Sequence, residues 1–419
     1  MRIVIIGGGF AGINLVKALR KNAEFDITLV DKNNYNFFPP LIYQVATAFL
    51  EPSSISYPFR KLFTGRGNVH FRLGELVKVL PEQKKIILSN GEVAYDYLVF
   101  ATGAETNYFG MENVRKNSTP MKTLDDAIAM RNKLLLQMEE ASITEDPVEM
   151  KKALTIVVAG GGPTGVEISG MFAEMKNGIL RKEYPEFTGK GGEIYLVDGG
   201  HAVLAPMSEQ SQQDTFKALT DLGVKIKLDA QVKDFVNETV LFANGETIAS
   251  KTLIWAAGVT AKIFEGIPAA SYGRGKRMLV DQFNKVLGVD NIYAIGDTCL
   301  QTTDKHFPSG HPQVAQVAIQ HGLNLAKNFN LLVKNKPLKP FLYDDKGSMA
   351  IIGRNKAVVD LPRPKFHFRG FFAWLIWLFI HLLSLITYRN RIRTFYSWMI
   401  AYFTKDQSLR MIIKPDKTM

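Results

Sequence analysis

Residues 2–12 read RIVIIGGGFAG, a short β-branched run that passes directly into three spaced glycines. Residues 154–167 read LTIVVAGGGPTGVE and repeat the arrangement. In each copy a strand ends at a turn that requires glycine, and bare backbone lets a pyrophosphate approach the N-terminus of the next helix. One such motif also fits a flexible loop, but two copies after hydrophobic strands predict two dinucleotide-binding folds. The glycines are Gly7, Gly9 and Gly12 in the first copy and Gly160, Gly162 and Gly165 in the second.

An acidic residue follows each glycine motif and supports this prediction. Asp31 ends the strand DITLVD nineteen residues past Gly12, close to the spacing of about 20 residues at which a carboxylate binds a ribose hydroxyl. Asp198 ends the strand EIYLVD thirty-three residues past Gly165, and we attribute this long spacing to an inserted excursion, LRKEYPEFTGKGGE. We assign Asp198 to the second ribose. A carboxylate there repels a 2′-phosphate and no arginine follows it, so the second fold is predicted to bind NADH rather than NADPH.

The composition indicates a folded protein whose charge is unevenly spread. A chain of 419 residues exceeds one hydrophobic core, and 46% hydrophobic with 22% charged residues is typical of globular proteins, so two or three domains are expected. The net charge is +11, and residues 361–419 hold ten Lys or Arg against two Asp or Glu. This basic end predicts an anionic partner, either nucleic acid or an acidic membrane surface.

The single cysteine, Cys299, excludes an intrachain disulfide and a cysteine-rich metal site, and it favours a reducing compartment. No metal site is predicted, because the spacing of His70, His201 and His306 is not that of metal ligands and indicates surface or turn residues. No secretory signal is predicted either. The apolar run IVII is only four residues long, so residues 2–6 are expected to form a buried strand.

Three further strand ends distinguish the two dinucleotides. YDYLVFATGAETN, residues 95–107, is a buried strand that ends at Thr102 and Gly103, and TLIWAAGV, residues 252–259, is its counterpart in the second fold with Gly258. NIYAIGD, residues 291–297, ends at Gly296 and Asp297, although a plain turn or N-cap is the alternative for Asp297. Together these ends favour FAD in the first fold and NADH in the second.

The order of these pieces resembles the two-dinucleotide flavoprotein superfamily over residues 1–330, in which the final Asp, here Asp297, binds the ribityl chain of FAD. Disulfide reductases and sulfide:quinone reductases of that superfamily need more cysteines and are excluded. NNYNFFPPLIYQVATAFLEPSSISYPFRKLF, PQVAQVAIQHG, GSMAIIGRNKAV and the apolar tail look like the type II, non-proton-pumping NADH:quinone dehydrogenases. This resemblance covers nearly the whole chain, and its most specific motif, A-Q-x-A-x-Q, comprises Ala315, Gln316, Ala318 and Gln320.

The resemblance implies a membrane-associated flavoenzyme that transfers two electrons from NADH through FAD to a membrane quinone without pumping protons. The fold class expected is α/β, with two Rossmann-like domains and a C-terminal membrane-anchoring helical segment. Residues 1–117 and 279–330 would form the FAD-binding domain, residues 118–278 the NADH-binding domain, and residues 331–419 the interface and membrane-anchoring region. A homodimer is expected by resemblance alone. Mitochondrial members often carry His where this chain has Ile319, so no proton relay is carried over to that position.

Three residues are candidates for the chemistry. Gln316 lies near the start of a helix that should direct its N-terminus at the flavin, and in the resembled family it borders the isoalloxazine and the quinone headgroup; the alternative is a solvated helix face. Gln320, one turn on, is a supporting candidate, and Ala315 lines the cofactor site. Glu167 follows the second loop on the first turn of its helix. It is either a carboxylate that stabilises the helix dipole or a group beside the nicotinamide and flavin that donates a proton or positions them.

The tail raises the question of membrane attachment. Residues 370–388, GFFAWLIWLFIHLLSLITY, carry no charge, and nineteen helical residues reach roughly 28 Å, nearly the hydrocarbon core of about 30 Å. The basic residues that follow would then lie opposite the NADH-using domain, against the positive-inside rule. We therefore predict two short helices on the anionic, cytoplasmic face of the cell (inner) membrane. Their aromatic residues would lie at headgroup depth, and a buried hairpin at a dimer interface is the alternative. The aromatic residues are Trp374, Trp377, Tyr388, Tyr396, Trp398 and Tyr402, and the basic ones Arg389, Arg391, Arg393, Lys405, Arg410 and Lys414.

Other functions remain to be separated from this one. A soluble NADH-dependent ferredoxin- or nitrite-type reductase would share both glycine loops but lack the apolar tail. A flavin-bound redox sensor or scaffold would use its NAD site without turnover. Nucleic-acid binding is disfavoured, because the tail is too apolar.

A thin polar stripe of His381, Ser384 and Tyr388 lies in the apolar tail. It indicates either a capped core face or a quinone entry path.

Overall fold

The computed structural model describes residues 1–187, 192–404 and 409–413. Lys405 and Lys414, predicted to contact lipid phosphates, and residues 188–191 of the inserted excursion lie outside this part. The chain divides into two compact units, each built from three segments. The first unit contains Met1–Phe37, Tyr57–Glu105 and Val259–Asp345, and the second contains Phe38–Ser56, Thr106–Gly258 and Lys346–Met419. The domain boundaries drawn from the sequence stay a prediction.

The first unit is organised around a parallel five-stranded sheet. Its central strand is the run before the first glycine loop, and its near-continuous burial confirms the predicted strand at residues 2–6. Strands with such a continuous buried apolar run are typical of parallel sheets that are covered on both faces. In spatial order the strands are Ile292–Ala294, Tyr97–Phe100, Arg2–Ile6, Asp26–Asp31 and Val69–Leu73.

Two smaller sheets and three α-helices complete the first unit. Leu76–Leu80, Lys85–Leu88 and Gly91–Ala94 form an antiparallel sheet, and Met278–Val280 pairs in parallel with Cys299–Gln301. The helices are Phe10–Leu19, Phe59–Leu62 and Ala315–Val333. Helices Phe10–Leu19 and Ala315–Val333 pack tightly, since a Cβ on Gly322 would lie 2.5 Å from the carbonyl oxygen of Ala11. The end of the first glycine loop and the A-Q-x-A-x-Q helix are thereby held together.

The second unit repeats the parallel sheet around the second glycine loop. An antiparallel sheet of Val232–Val236, Thr239–Phe242 and Thr247–Ala249 is inserted in the chain before the last strand of the parallel sheet. The strands of the parallel sheet are, in spatial order, Thr119–Pro120, Thr252–Trp255, Ile156–Ala159, Ile194–Val197 and Val224–Lys227. The longer helices in and beside this fold are Glu112–Asn117, Leu124–Ser142, Pro147–Leu154, Pro163–Met175 and Glu209–Asp221, and the shorter ones are Ile42–Ala46, Pro52–Ile55, Lys176–Leu180 (a π-helix) and Arg181–Glu183.

The C-terminal segment of the second unit comprises a sheet and two helices. Ser348–Gly353, Lys356–Pro362 and Lys365–Arg369 form an antiparallel sheet, and the last strand leads directly into helix Gly370–Ser384. Helix Tyr388–Thr404 follows, so two short helices form as predicted. The first strand lies against helix Pro163–Met175 so closely that a Cβ on Gly170 would be 1.7 Å from the carbonyl oxygen of Ile352. Only glycine fits at that crossing.

Both glycine loops have the backbone that their sequence predicts. Gly7 and Gly160 adopt φ of +101° and +115°, a conformation that side chains rarely tolerate. A Cβ on the last glycine of each motif would meet the carbonyl oxygen of the first, at 1.9 Å in Gly12 and 1.8 Å in Gly165. The first and last glycines therefore allow the turn and the close contact between strand and helix. The two folds are Rossmann-like, which confirms the predicted fold class.

Candidate functional site

The first glycine loop is bound to the acidic residue that ends the neighbouring strand. Oδ2 of Asp31 accepts a hydrogen bond of 2.7 Å from the Gly8 amide, and Oδ1 accepts one of 2.8 Å from the Asn33 amide. Burial raises the pKa of Asp31, and these two hydrogen bonds oppose the rise. The carboxylate thus lies at the middle of the loop, where the sequence predicted a ribose ligand.

The second glycine loop has the same arrangement despite its longer spacing. Oδ2 of Asp198 accepts from the Gly161 amide at 2.5 Å, and Oδ1 accepts from the Gly200 amide at 2.6 Å. Gly161 occupies the same place in its motif as Gly8 does in the first. The excursion between residues 180 and 193 therefore leaves the carboxylate in the equivalent position. Binding of ribose by either residue stays a prediction.

Space for a dinucleotide is present at both loops. No heavy atom of the described residues lies within 4 Å of a Cβ built on Gly9 or Gly162, each of which directly precedes a helix. Gly103 is equally open, with φ of +68°, and the buried hydroxyl of Thr102 has no hydrogen-bond partner in the described parts of the chain. A buried polar group without a partner is costly, so the Thr102 hydroxyl fits a contact with a cofactor. These residues fit FAD at the first loop and NADH at the second.

The Gly-Asp turn lies against the start of the A-Q-x-A-x-Q helix. Gly296 has φ of +73°, and a Cβ there would lie 3.4 Å from that of Ala318. Nε2 of Gln313 donates to the carbonyl oxygen of Asp297 at 3.0 Å. The Gly296 amide donates to Nδ1 of His321 at 3.1 Å, so this fully buried ring carries its proton on Nε2. Burial lowers the pKa of His321, which stays neutral and holds the turn in place.

The two glutamines of the motif have different environments. The helix begins at Ala315, as predicted, and Val314 before it has no polar side-chain atom to cap the first amides. Half-buried Gln316 lies in this first turn. Gln320 is paired with the backbone of Asp344, donating to its carbonyl oxygen at 2.8 Å and accepting from its amide at 3.0 Å. The amide of Gln320 is therefore engaged within the protein, and a role for it in quinone binding stays a prediction.

Glu167 is buried under the C-terminal sheet and is only 8% exposed. It is the fifth residue of helix Pro163–Met175, so its predicted place in the first turn is wrong. Burial raises the pKa of Glu167 to about 8, while the Ile351 amide and the nearby indole N–H of Trp377 oppose the rise. That indole N–H is itself buried, with no hydrogen bond of ordinary geometry among the described residues. Glu167 is thus a carboxyl that keeps its proton at neutral pH.

An aromatic cluster surrounds this carboxyl within the second unit. The ring of His381 stacks on Trp377 at a centroid distance of 3.8 Å, and its Nδ1 donates to the Trp377 carbonyl oxygen at 2.8 Å. Burial lowers the pKa of His381 to about 4. Tyr43 is fully buried, and burial followed by the charge of Glu167 raises its pKa. Its hydroxyl accepts from Gln44 at 3.1 Å, and Oε1 of Gln44 accepts from the indole of Trp398 at 2.8 Å.

This cluster corrects two features of the predicted tail. Trp377 and Trp398 are buried, so the prediction that they lie at headgroup depth is wrong. The predicted polar stripe is not a single face either, because Ser384 donates to the Ile380 carbonyl oxygen and Tyr388 starts the second helix. The surface assignment of His70, His201 and His306 is confirmed.

Sequence reasoning did not find several residues that shape these sites. Tyr43 belongs to a stretch that carries the family resemblance and Trp377 to the apolar tail, and no spacing rule connects either of them to Glu167. His321 has the same difficulty, although its place directly after Gln320 of the motif was a usable signal. Gly258 lies three residues past the end of strand Thr252–Trp255, and its carbonyl oxygen accepts from the Asn107 amide. The residues that sequence reasoning missed share one feature, which is a partner far away in the chain.

Two folds with equivalent loops define a two-dinucleotide flavoprotein oxidoreductase. A family model described as pyridine nucleotide-disulphide oxidoreductase matches residues 1–322, and one described as NDH2 C-terminal domain matches residues 346–407. The type II NADH:quinone oxidoreductase NdhA of Mycobacterium tuberculosis is 36% identical over 418 residues, which cover 96% of this chain and 87% of the relative. The external NADH-ubiquinone oxidoreductase 2 of Saccharomyces cerevisiae mitochondria is 30% identical, covering 96% of this chain and 81% of the relative.

The chain therefore belongs to the type II NADH:quinone oxidoreductases. It is an FAD-dependent enzyme that transfers electrons from NADH to a quinone, as the sequence predicted. The solved structure of NDH2 from Plasmodium falciparum in complex with NADH has the same fold, with a TM-score of 0.89, 23% identity and 99% coverage of both chains. The match of the C-terminal domain sets aside a soluble ferredoxin-type reductase. The relatives are named as oxidoreductases, which favours an enzyme over a sensor or scaffold.

Proposed function

We propose that this enzyme oxidises NADH at its second fold and reduces a membrane quinone while lying on an anionic, cytoplasmic membrane face. Bound FAD would take up two electrons from NADH and give them to the quinone. Gly9, Asp31, Thr102 and Asp297 would hold FAD, and Gly162 and Asp198 would hold NADH. The observation that carries this proposal is the apolar face of the two C-terminal helices, which gives a water-insoluble substrate a place to arrive.

The residues of the chain supply binding, orientation and a proton. The open glycines let the phosphates approach two helix N-termini, where amides and the helix dipole favour anions. Glu167 holds a proton at neutral pH, and reduction of a quinone to a quinol takes up two protons. We assign Gln316 as the donor to a quinone oxygen, because it lies in an uncapped first turn beside the Asp297 turn. Gln320 acts as a positioning residue that fixes this helix to Asp344.

Replacement of Gln316 by alanine tests the quinone assignment. Loss of one hydrogen bond to the substrate should lower kcat/KM for quinone about tenfold, while bleaching of the flavin by NADH without oxygen stays at its normal rate. Gln320→Ala is the comparison on the same helix. It should lower Tm, because the pairing with Asp344 is lost, and have the smaller effect of the two variants on quinone turnover. Normal quinone turnover in Gln316→Ala would remove the assignment.

The apolar face of the C-terminal helices is the support for membrane attachment. None of the helices in the described parts of the chain is both long and apolar enough to cross a bilayer. Large exposed apolar groups on neighbouring helices are typical of interfacial binding. They are Phe371, Phe372, Leu375, Phe379, Ile380 and Leu383 on the first helix, and Tyr388, Ile392, Phe395, Tyr396, Met399, Ile400 and Phe403 on the second.

The arginines beside this face differ in their partners. Arg391 binds the carbonyl oxygens of Leu383 and Leu385 and thereby caps the first helix, while Arg393 donates to Ser53. Exposed Arg389 is the best placed of the three to reach a lipid phosphate, a contact worth roughly 1 kcal/mol on an anionic leaflet. Attachment should therefore depend more on apolar burial than on charge.

A vesicle-binding experiment tests the attachment. Phe372→Glu and Phe379→Glu, at side chains 73% and 62% exposed, should abolish flotation with phosphatidylglycerol vesicles and leave reduction of a water-soluble short-chain quinone intact. Ile143→Glu, at a side chain 83% exposed outside the helix pair, should float normally. Unchanged flotation of both Phe variants, or a loss of dimer without a loss of binding, would instead support a dimer interface at this face.

A further inference from the structure

The segment that follows Asp198 is held from two sides within the second unit. We name residues 199–208 the ribose loop. At one side the Leu204 amide donates to the carbonyl oxygen of Gly161, the loop glycine whose own amide binds Asp198. Leu204 is fully buried and has φ of +51°, a left-handed conformation that a leucine adopts only when its surroundings enforce it. The ribose loop therefore lies directly against the dinucleotide motif.

At the other side the ribose loop is bound to the C-terminal sheet. Its last residue, Ser208, gives its amide to Oδ2 of Asp360 at 2.8 Å and its hydroxyl to Oδ1 at 3.0 Å. Ser208 also caps helix Glu209–Asp221 through the Ser211 amide. Gln212, on the same helix, donates to the carbonyl oxygens of Ala205 and Met207. Asp360 thus fixes the point where the loop becomes a helix.

Asp360 belongs to a cluster that spans the sheet and that helix. His367 binds Asp360 through Nδ1 at 3.0 Å and Asp214 through Nε2 at 2.9 Å, and we name these three residues the Asp–His–Asp clasp. Arg369 donates to the second oxygen of Asp214 at 2.8 Å. The clasp side chains are 13–20% exposed. His367 contacts both carboxylates, and the Arg369 guanidinium adds a charge-assisted hydrogen bond to Asp214, so the sheet and the helix are joined by one polar network.

The ionisation of the two carboxyls agrees with this network. Burial alone would raise the pKa values of Asp214 and Asp360, but hydrogen bonds outweigh it. For Asp214 these come chiefly from Arg369 and His367. For Asp360 they come chiefly from His367 and Ser208. The pKa of each carboxyl therefore lies below its usual range.

Ser211, His367 and Asp214 are also ordered like a hydrolytic triad, with Ser211 Oγ 3.1 Å from Nδ1 of His367. Ser211 is completely buried, so a substrate does not reach it.

We infer that Asp360 and His367 are positioning residues for NADH. Through Ser208 they hold the ribose loop against Gly161, and thereby keep Asp198 and the glycine loop in the geometry that receives the adenosine ribose and the pyrophosphate. The inference rests on the proposed NADH site in the second fold. It gives the C-terminal sheet, whose last strand leads into the first of the two C-terminal helices, a part in substrate binding.

The first experiment separates NADH binding from turnover. Asp360→Asn in the FAD-loaded enzyme should raise KM for NADH about tenfold and retain kcat and KM for quinone, because it weakens a charged hydrogen-bond pair far from the reacting atoms. Binding of ADP-ribose, which has the pyrophosphate and both riboses but no nicotinamide, should weaken by the same factor in calorimetry. Asp221→Asn is the matched control on helix Glu209–Asp221, where the carboxylate makes an exposed pair with Lys217, and should behave as the wild type.

The second experiment uses the two arms of the imidazole. The amide nitrogen of asparagine takes the place of Nδ1 and keeps the hydrogen bond to Asp360. The amide nitrogen of glutamine takes the place of Nε2 and keeps the hydrogen bond to Asp214. His367→Asn should therefore bind ADP-ribose nearly normally, and His367→Gln should resemble Asp360→Asn. Normal binding by Asp360→Asn and His367→Gln, or binding that falls only in step with Tm and bound FAD, would overturn the inference.

Asp198→Asn separates this inference from the function on which it rests. Weak binding in Asp198→Asn with normal binding in Asp360→Asn would remove only the role of the clasp. Normal binding of ADP-ribose in Asp198→Asn would remove the proposed NADH site itself.

Discussion

Replacement of Glu167 by glutamine is expected to slow NADH:quinone turnover roughly 100-fold near neutral pH, the lower end of the loss usual for a missing proton-transfer group. In the wild type the pKa of Glu167 is about 8, so its carboxyl is protonated below that pH and ionised above it. The wild-type rate should therefore fall as pH rises through about 8. The variant has no such group and should lack this limb of the pH profile.

Thermal unfolding of the same variant gives a second measurement with a definite sign. The unfolded carboxyl ionises near its ordinary pKa of 4.5, whereas the folded one keeps its proton up to about 8. The stabilisation that protonated Glu167 contributes is complete below 4.5 and is lost as pH rises through 8, by on the order of 4 kcal/mol. Glutamine does not ionise, so the variant should match the wild type near pH 4.5 and have the higher Tm at pH 8.

Glu174→Gln is the matched control for Glu167. Glu174 lies two turns further along helix Pro163–Met175, and burial likewise raises its pKa against the opposing hydrogen bond from the Arg354 amide. This control should share the sign of the effect on Tm but keep the wild-type rate profile. A Glu167→Gln enzyme with a normal rate and a normal pH limb would show that Glu167 is only a buried structural acid.

Substitution of Gly162 by valine should raise KM for NADH roughly 100-fold, the loss expected when one or two charged hydrogen bonds worth about 1.5–3 kcal/mol each are broken. The site tolerates a side chain within the protein, since its φ of −72° is ordinary and the described residues leave the Cβ position open. The valine would instead occupy the path of the pyrophosphate. Tm and bound FAD should remain normal, as measured by differential scanning fluorimetry and flavin absorbance.

Gly9→Val is the reciprocal variant at the first loop, where φ is −71° and the Cβ position is equally open. It should be purified without FAD but still bind ADP-ribose. Gly67→Val, at an exposed loop glycine with an equally open Cβ position, is the control and should keep both ligands. If Gly162→Val lost FAD and Gly9→Val lost NADH instead, the assignment of the two folds would be reversed.

The fold followed from local patterns in the chain. A run of buried β-branched residues before Gly7 or Gly160 predicts a strand, and the φ values of +101° and +115° at these glycines show why no other residue would serve. Asp31 was predicted from a regular spacing. Asp198 was predicted against an irregular one, and its hydrogen bond to Gly161 shows that an excursion can lengthen a connection without moving the strand that follows it.

The environment of the candidate residues did not follow from such patterns. The position of Glu167 after a glycine loop indicated a helix-dipole carboxylate as readily as a proton donor. Its burial depends on Ile351 and Trp377, which are far away in the chain, and on Gly170, which lets the C-terminal strand lie against the helix. The pairing of Gln320 with the backbone of Asp344 likewise did not follow from the sequence, because the helical period gives the face on which an amide lies but not its partner.

By itself, then, the sequence determined the two Rossmann-like folds, the order of their loops and the family of the enzyme, because each depends on residues that are close together in the chain. The tertiary structure alone decided that Glu167 keeps its proton, that Trp377 and Trp398 are buried, and that Asp360 and His367 hold the ribose loop. A pKa and a packing contact are set by neighbours in space, and in this chain those neighbours lie more than 100 residues apart in several cases.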